Sequence, residues 1–216
     1  MKNLHYLAVA IFALSASAYA QNDAAPAPAS ADSAFNTAGL IGKRYVEASF
    51  EYDDYKATKK DVYAPSLTLN LPLSPNFDVS VDYGHAVRQS WENLFDQADV
   101  TGTLYFTSDE LKPFVAFSLG YVWGSQIEDE CIYNFSAGFE YALTSKIALT
   151  AAFNAQDDFK SHTPAVYSLD AMGSYSLSKR LTASLGVIVW NNDHGVRLGK
   201  SGVGGKGVEV GLAYKF

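Results

Sequence analysis

Cysteine is nearly absent from this chain, since Cys131 is the only one in 216 residues. A single cysteine excludes an intramolecular disulfide and a zinc site built from several thiolates. Basic residues are also few: 16 Lys and Arg stand against 23 Asp and Glu, which leaves a formal net charge of −7. A nucleic-acid-binding domain normally carries a basic face, so we expect no nucleic-acid partner.

Uninterrupted hydrophobic segments are short. The apolar run Leu4 to Leu14 is followed by the small-x-small sequence Ala18 to Ala20, which predicts a secretory signal peptide over residues 1–20. Residues 21–42 are rich in Ala, Pro and Ser and predict a flexible leader. No later segment approaches the roughly 18 apolar residues of a transmembrane helix. Residues 43–216 are therefore predicted to form one domain that does not contain a transmembrane helix.

Apolar and polar residues alternate at period two through most of that domain. Leu67, Leu69 and Leu71, for example, are separated by polar residues, as in strands with one apolar face. About ten such segments occur, each near the roughly 9–11 residues with which a tilted strand crosses a bilayer. They predict an all-β fold, a closed antiparallel up-and-down transmembrane β-barrel of about ten strands, with eight strands as the alternative.

The predicted connections between these strands alternate in length. Short turns on one rim and longer polar loops on the other are typical of transmembrane barrels. The short turns are predicted near Ser74–Asn76, Ser108–Lys112, Thr144–Lys146 and Ser178–Arg180, and the longer loops near Asp53–Asp61, His85–Gln97, Gly124–Glu130, Gln156–Thr163 and Asn191–Lys206.

Alternation alone does not say which face meets solvent, and a soluble barrel would turn its apolar face inward. Two features favour an apolar exterior. Aromatic residues such as Tyr83, Tyr121 and Tyr175 lie toward strand ends on the apolar face, where a membrane interface would place them. The polar face consists mostly of Ser, Thr, Ala, Gly and Asn, whereas a solvated outer face usually carries many charges of both signs. The apolar face is therefore predicted to contact lipid.

The end of the chain carries a recognisable pattern. Glu209-x-Gly211-x-x-Tyr214-x-Phe216 resembles the C-terminal assembly signal of bacterial outer-membrane β-barrel proteins, a family that includes small porin-like and OmpA-like barrels. The resemblance implies localisation in the bacterial outer membrane, contact with its lipid and lipopolysaccharide, and recognition by the barrel assembly machinery. It covers residues 43–216 as a pattern and leaves the oligomeric state unknown.

Carboxylates dominate the face that is predicted to line the lumen, and Lys215 is expected to be its only base on the strands. Buried carboxylates without partners are costly. Either water and cations fill the lumen, as in a narrow porin-like channel, or loop bases such as Arg88, Arg197 and Lys200 fold inward. The second case would suit a non-conducting structural or surface-interaction barrel. The predicted acidic lining is Glu47, Glu51, Asp78, Asp82, Asp99, Glu140, Asp170 and Glu209.

Enzymatic activity is a remote alternative. Omptin proteases are also ten-stranded outer-membrane barrels, and they activate water with Asp-Asp and Asp-His pairs at the loop rim. This chain offers Asp53-Asp54, Asp157-Asp158 and Asp193-His194, with different spacing and on different hairpins. A general base must reach the proton that it removes, so we predict no catalytic residues, no cofactor and no metal site.

Overall fold

A computed structural model describes residues 38–55, 60–88, 92–106, 110–124, 129–159, 165–191 and 205–216. The predicted signal peptide and residues 21–37 of the predicted leader lie outside these ranges. The described residues contain no helix that is long and apolar enough to cross a membrane.

The described chain forms ten antiparallel strands that follow one another around a closed barrel. This confirms the all-β, ten-stranded up-and-down prediction over the eight-stranded alternative. The strands are β1 (Tyr45–Tyr55), β2 (Lys60–Ser74), β3 (Phe77–Arg88), β4 (Asn93–Tyr105), β5 (Leu111–Trp123), β6 (Glu130–Ala142), β7 (Ile147–Asp158), β8 (Val166–Ser176), β9 (Leu181–Asn191) and β10 (Gly205–Lys215).

The barrel closes between its first and last strands. Strand β1 pairs with β10 along its whole length, with Phe50 opposite Val210 and Val46 opposite Tyr214. A final backbone hydrogen bond runs from the N–H of Phe216 to the carbonyl oxygen of Arg44, at 3.2 Å. Closure leaves no strand edge to be satisfied by solvent, which is the condition for placing a sheet in an apolar medium.

The alternating residues sort to the two sides of the wall as predicted. The large apolar residues face outward and are exposed: Leu67 is 52% accessible, Leu119 is 51% and Leu185 is 55%. On the same strands, Ser118 and Ser184 face the lumen and are buried. A soluble barrel would show the opposite distribution, so the prediction of an apolar exterior is confirmed.

The connections between strands differ in length at the two rims, although less than the sequence predicts. We call the end that carries the tight turns and Phe216 the turn rim, and the opposite end the loop rim. At the loop rim, β3 continues to Arg88 and β4 begins at Asn93, so the loop predicted over His85–Gln97 is wrong for most of its length. Strands that continue past the apolar belt have polar residues on both faces, and this removes the alternation by which they are recognised.

The prediction that Lys215 is the only inward base on the strands is also wrong. The sequence predicts a turn that includes Lys112, but β5 begins one residue before it, at Leu111. Lys112 therefore shares the lumen-facing side with Ala116 and Ser118, and it is buried like Lys215. Both bases lie close to the turn rim.

An arginine on the outer face tests whether that face contacts lipid. Leu119→Arg, near the middle of β5, should destabilise the barrel in lipid vesicles by about 2–4 kcal/mol, and Leu73→Arg at the turn rim by about 0–1 kcal/mol, because the cost of a charge falls away from the bilayer centre. Urea unfolding of both variants measures the difference. Equal effects at the two depths would contradict a lipid-facing wall.

Candidate functional site

The lumen brings together carboxylates from most of the barrel wall. Two of these acids face each other across the β3–β4 ladder, where Asp82 is opposite Asp99. Two more face each other across the β1–β10 seam, where Glu51 is opposite Glu209. Like charges in directly opposed positions repel, so the lumen needs polar groups or water around them.

Hydroxyl and amide groups on neighbouring strands supply part of that environment. The Thr68 hydroxyl donates to Asp82 at 2.6 Å, and the Ser80 hydroxyl donates to the other oxygen of the same carboxylate at 3.1 Å. The Gln97 amide donates to Asp99 at 2.6 Å. Each of these carboxylates is therefore stabilised by neutral donors.

Glu47 is held across an intervening strand. The Ser184 hydroxyl on β9 donates to Glu47 Oε1 on β1 at 2.8 Å, and β10 lies between these two strands. The contact passes over Gly211. A Cβ atom at that position would lie 2.3 Å from both Glu47 Oε1 and Ser184 Oγ. Gly211 thus leaves the space that this hydrogen bond occupies.

Glycine makes room for a second carboxylate in the same way. Gly120 is opposite Asp99 on the neighbouring strand, and a Cβ there would lie 1.8 Å from an Asp99 oxygen. Such pairing lets a carboxylate lean over its neighbour without overfilling a narrow barrel. The sequence shows these glycines, but only the strand register shows that they face acids.

An open cavity of about 430 Å³ lies inside the barrel. Its wall carries the carboxylates of Glu51, Asp170 and Glu209, while Phe114 and Met172 contribute apolar surface. The Asn154 amide donates to Asp170. Among the described residues, none of those that line this cavity is a Lys or Arg. This cavity is large enough to hold water molecules, and its acidic side chains provide polar partners for them.

The two acids nearest the turn rim have different surroundings. Asp78 and Glu140 are almost fully buried, and both accept hydrogen bonds from the backbone of residues 40–42. Glu140 also lies 3.4 Å from the Lys112 ammonium. These two carboxylates hold a segment of the chain, whereas the acids farther inside line open space.

The residues of the C-terminal pattern lie on both sides of β10. Glu209 and Gly211 face the lumen, as described above. Tyr214 and Phe216 face outward and are exposed at the turn rim, where Arg180 donates to the Tyr214 hydroxyl at 3.2 Å. Aromatic side chains of membrane proteins are enriched at this position, where the membrane meets water.

Of the three rim pairs that were compared with a hydrolase site, Asp157-Asp158 is the one whose side chains are described. Asp158 is buried, and its backbone N–H donates to the Asp157 side chain at 2.8 Å. His85 is paired with Asp96 at 2.7 Å on the outer side of the loop rim. Asp193-His194 and the Asp53-Asp54 side chains lie outside the described part. No cluster of metal-ligating side chains occurs within the described ranges.

Comparison with known proteins shows a shared fold. No protein-family model matches the chain, and no curated protein matches its sequence. The NanC porin has a TM-score of 0.50 at 10% identity, covering 79% of this chain and 100% of that one. An outer membrane channel from Pseudomonas putida F1 has a TM-score of 0.50 at 6% identity, covering 84% and 98%. The chain therefore has the fold of bacterial outer-membrane β-barrels.

A double-mutant cycle tests whether position 211 must be glycine in order to leave space for the Glu47 side chain. Gly211→Ala should cost about 1–3 kcal/mol, as overpacking in a filled site does, and it should cost less when Glu47→Ala has removed one of the two side chains that the new methyl group meets, because the Ser184 hydroxyl is then free to rotate away. Urea unfolding of the four chains gives the coupling energy. A coupling of zero would show that Gly211 is required for another reason.

Proposed function

We propose that this chain is an outer-membrane barrel that acts as a narrow, cation-preferring, porin-like channel for small solutes. The observation that carries the proposal is the acidic cavity, in which Glu51, Asp170 and Glu209 surround about 430 Å³ of open space. A water-filled passage with one sign of fixed charge attracts counter-ions and repels co-ions.

The barrel size agrees with this function. Ten strands spaced by ~4.8 Å and tilted by ~40° give a backbone radius of about 10 Å. Inward residues such as Ala116, Ser136 and Gly186 are small and leave space within that radius. The structural neighbours named above are described as a porin and an outer membrane channel, which supports the same class for this chain.

The surroundings of two lumen acids favour the first of the two alternatives, a lumen filled by water and cations, over loop bases that fold inward. A plugged barrel would pair Glu47 or Asp82 with a base, whereas both accept hydrogen bonds from hydroxyl groups. Arg197 and Lys200, two of the bases considered for that role, lie outside the described residues.

A structural or surface-interaction barrel is the second candidate. Its supporting observation is that the turn-rim end of the lumen is not open, since Ala38 and Leu40 are buried there. A barrel closed in this way would work through its outer surface and loops, by contact with lipopolysaccharide or a host surface.

Ion selectivity in planar bilayers tests the channel. Under a KCl gradient the purified protein should give discrete currents whose reversal potential favours K⁺. Asp170→Asn combined with Glu209→Gln should reduce that potential by roughly half, since it removes two charges from the cavity. Glu110→Gln, on the outer side of the turn rim, is the matched control and should leave it unchanged. Equal selectivity in all three chains would contradict the proposal.

Recognition of the chain end by the barrel assembly machinery is also proposed, and Phe216→Ala tests it. Less barrel should assemble in cells, as measured by the migration of unheated samples in electrophoresis, because an exposed terminal ring offers a contact for assembly. Phe106→Ala changes another exposed ring at the same rim and should assemble normally. If both variants assemble equally well, the C-terminal pattern does not act as a signal.

A further inference from the structure

Residues 38–42 are the first described residues and precede β1 at the turn rim. They do not extend away from the barrel. Ala38 is 1% exposed and Leu40 is 5% exposed, although they precede β1 and have no strand partner. Solvent therefore scarcely reaches them, which indicates that they lie within the barrel mouth.

The contacts of this segment come from the far side of the barrel. Glu140 Oε2 accepts hydrogen bonds from the N–H groups of Leu40 at 2.8 Å and Ile41 at 3.3 Å. Glu140 lies on β6, five strand positions from β1 in either direction around the ten-stranded ring. The segment begins beside β1 and is anchored on the opposite wall, so it crosses the mouth.

A second carboxylate and a lysine fix the same segment. Asp78 accepts a hydrogen bond from the N–H of Gly42 at 2.7 Å, and the Lys112 ammonium donates to the carbonyl oxygen of Ile41 at 2.9 Å. Hydrogen bonds with a charged partner are stronger than those between neutral groups. Three strands thus bind backbone atoms of the crossing segment through charged side chains.

The path of the segment depends on a turn. The N–H of Lys43 donates to the carbonyl oxygen of Leu40 at 3.1 Å, and Gly42, the third residue of this turn, has φ of 78°. A β-turn with positive φ at its third position favours glycine. The Tyr105 ring lies against Gly42, where a Cβ would be 2.9 Å from the phenol oxygen. A larger residue than glycine at position 42 would therefore collide with the Tyr105 ring.

We infer that residues 38–42 form a built-in plug of the turn-rim mouth, seated by Glu140 and Asp78, and that this plug sets the width of the conducting pathway. The inference rests on the proposed channel function. It assigns the two carboxylates a task different from that of the acids around the open cavity: they hold the plug, and the cavity acids attract cations. Displacement of the plug widens the passage.

Cysteine labelling tests the seat of the plug without requiring conduction. In a Cys131→Ser background, Ala38→Cys should react with a water-soluble maleimide at least about tenfold more slowly than Ser145→Cys, which lies exposed on the turn rim. Adding Glu140→Gln should accelerate the reaction at position 38 by about tenfold, because the N–H groups of Leu40 and Ile41 then have a neutral acceptor in place of a charged one. Adding Glu110→Gln, a neighbouring change outside the lumen, should not.

Conductance tests the effect of the plug on the pathway. A chain in which residue 43 directly follows the signal peptide should conduct several-fold more than the full chain, and Glu140→Gln should fall between the two. The inference is overturned if Ala38→Cys reacts as fast as Ser145→Cys, or if the shortened chain conducts like the full one. No current from any folded variant would overturn the channel itself, and the labelling rates would still decide whether Glu140 seats the segment.

Discussion

Pairing of each strand's backbone with two neighbours is the constraint on which the rest of this barrel depends. An apolar medium offers no partner for a free N–H or C=O, so a sheet placed there must close on itself. The seam between β1 and β10 provides that closure along eleven residue pairs, from Tyr45 and Lys215 to Tyr55 and Gly205. Once closed, the wall has one face toward the outside and one toward the lumen, and along its regular stretches the period-two alternation assigns each side chain to one of them.

Closure also dictates how charge is accommodated inside. With a backbone radius of about 10 Å, a ten-stranded barrel cannot hold large residues on every inward position. Acids such as Glu47 and Asp99 occupy space that Gly211 and Gly120 leave on adjacent strands, and Asp82 and Asp99 are hydrogen-bonded by neutral side chains. On these contacts the acids are accommodated by hydroxyl and amide donors and not by basic partners. The proposed cation preference rests on this arrangement.

The alternation of apolar and polar residues predicts most of the fold, including the strand number and the apolar exterior. It fails where both faces of a strand become polar, and for that reason β3 and β4 extend farther into His85–Gln97 than expected. It also misplaces Lys112, because the predicted turn includes that residue whereas β5 begins at Leu111. Once the strand is extended to Lys112, the same alternation places Lys112 on the inward face with Ala116.

The seating of residues 38–42 could not be predicted from the sequence. They stand at the end of the segment that the sequence predicts to be a flexible leader, and their partners Asp78, Lys112 and Glu140 are distant in sequence. Only the barrel geometry brings these groups together at one mouth. The alternation predicts a set of inward acids, whereas their division between contacts to residues 40–42 and the cavity wall depends on depth along the barrel axis.

The sidedness of the wall is the central claim, and spin-label accessibility along β5 in lipid vesicles tests it most directly. Labels placed singly from residue 115 to residue 119 would be scanned for collision with oxygen, which concentrates in lipid, and with a water-soluble nickel complex. The account predicts that oxygen access peaks at positions 115, 117 and 119 and nickel access at 116 and 118. The reverse order, or no alternation, would contradict it.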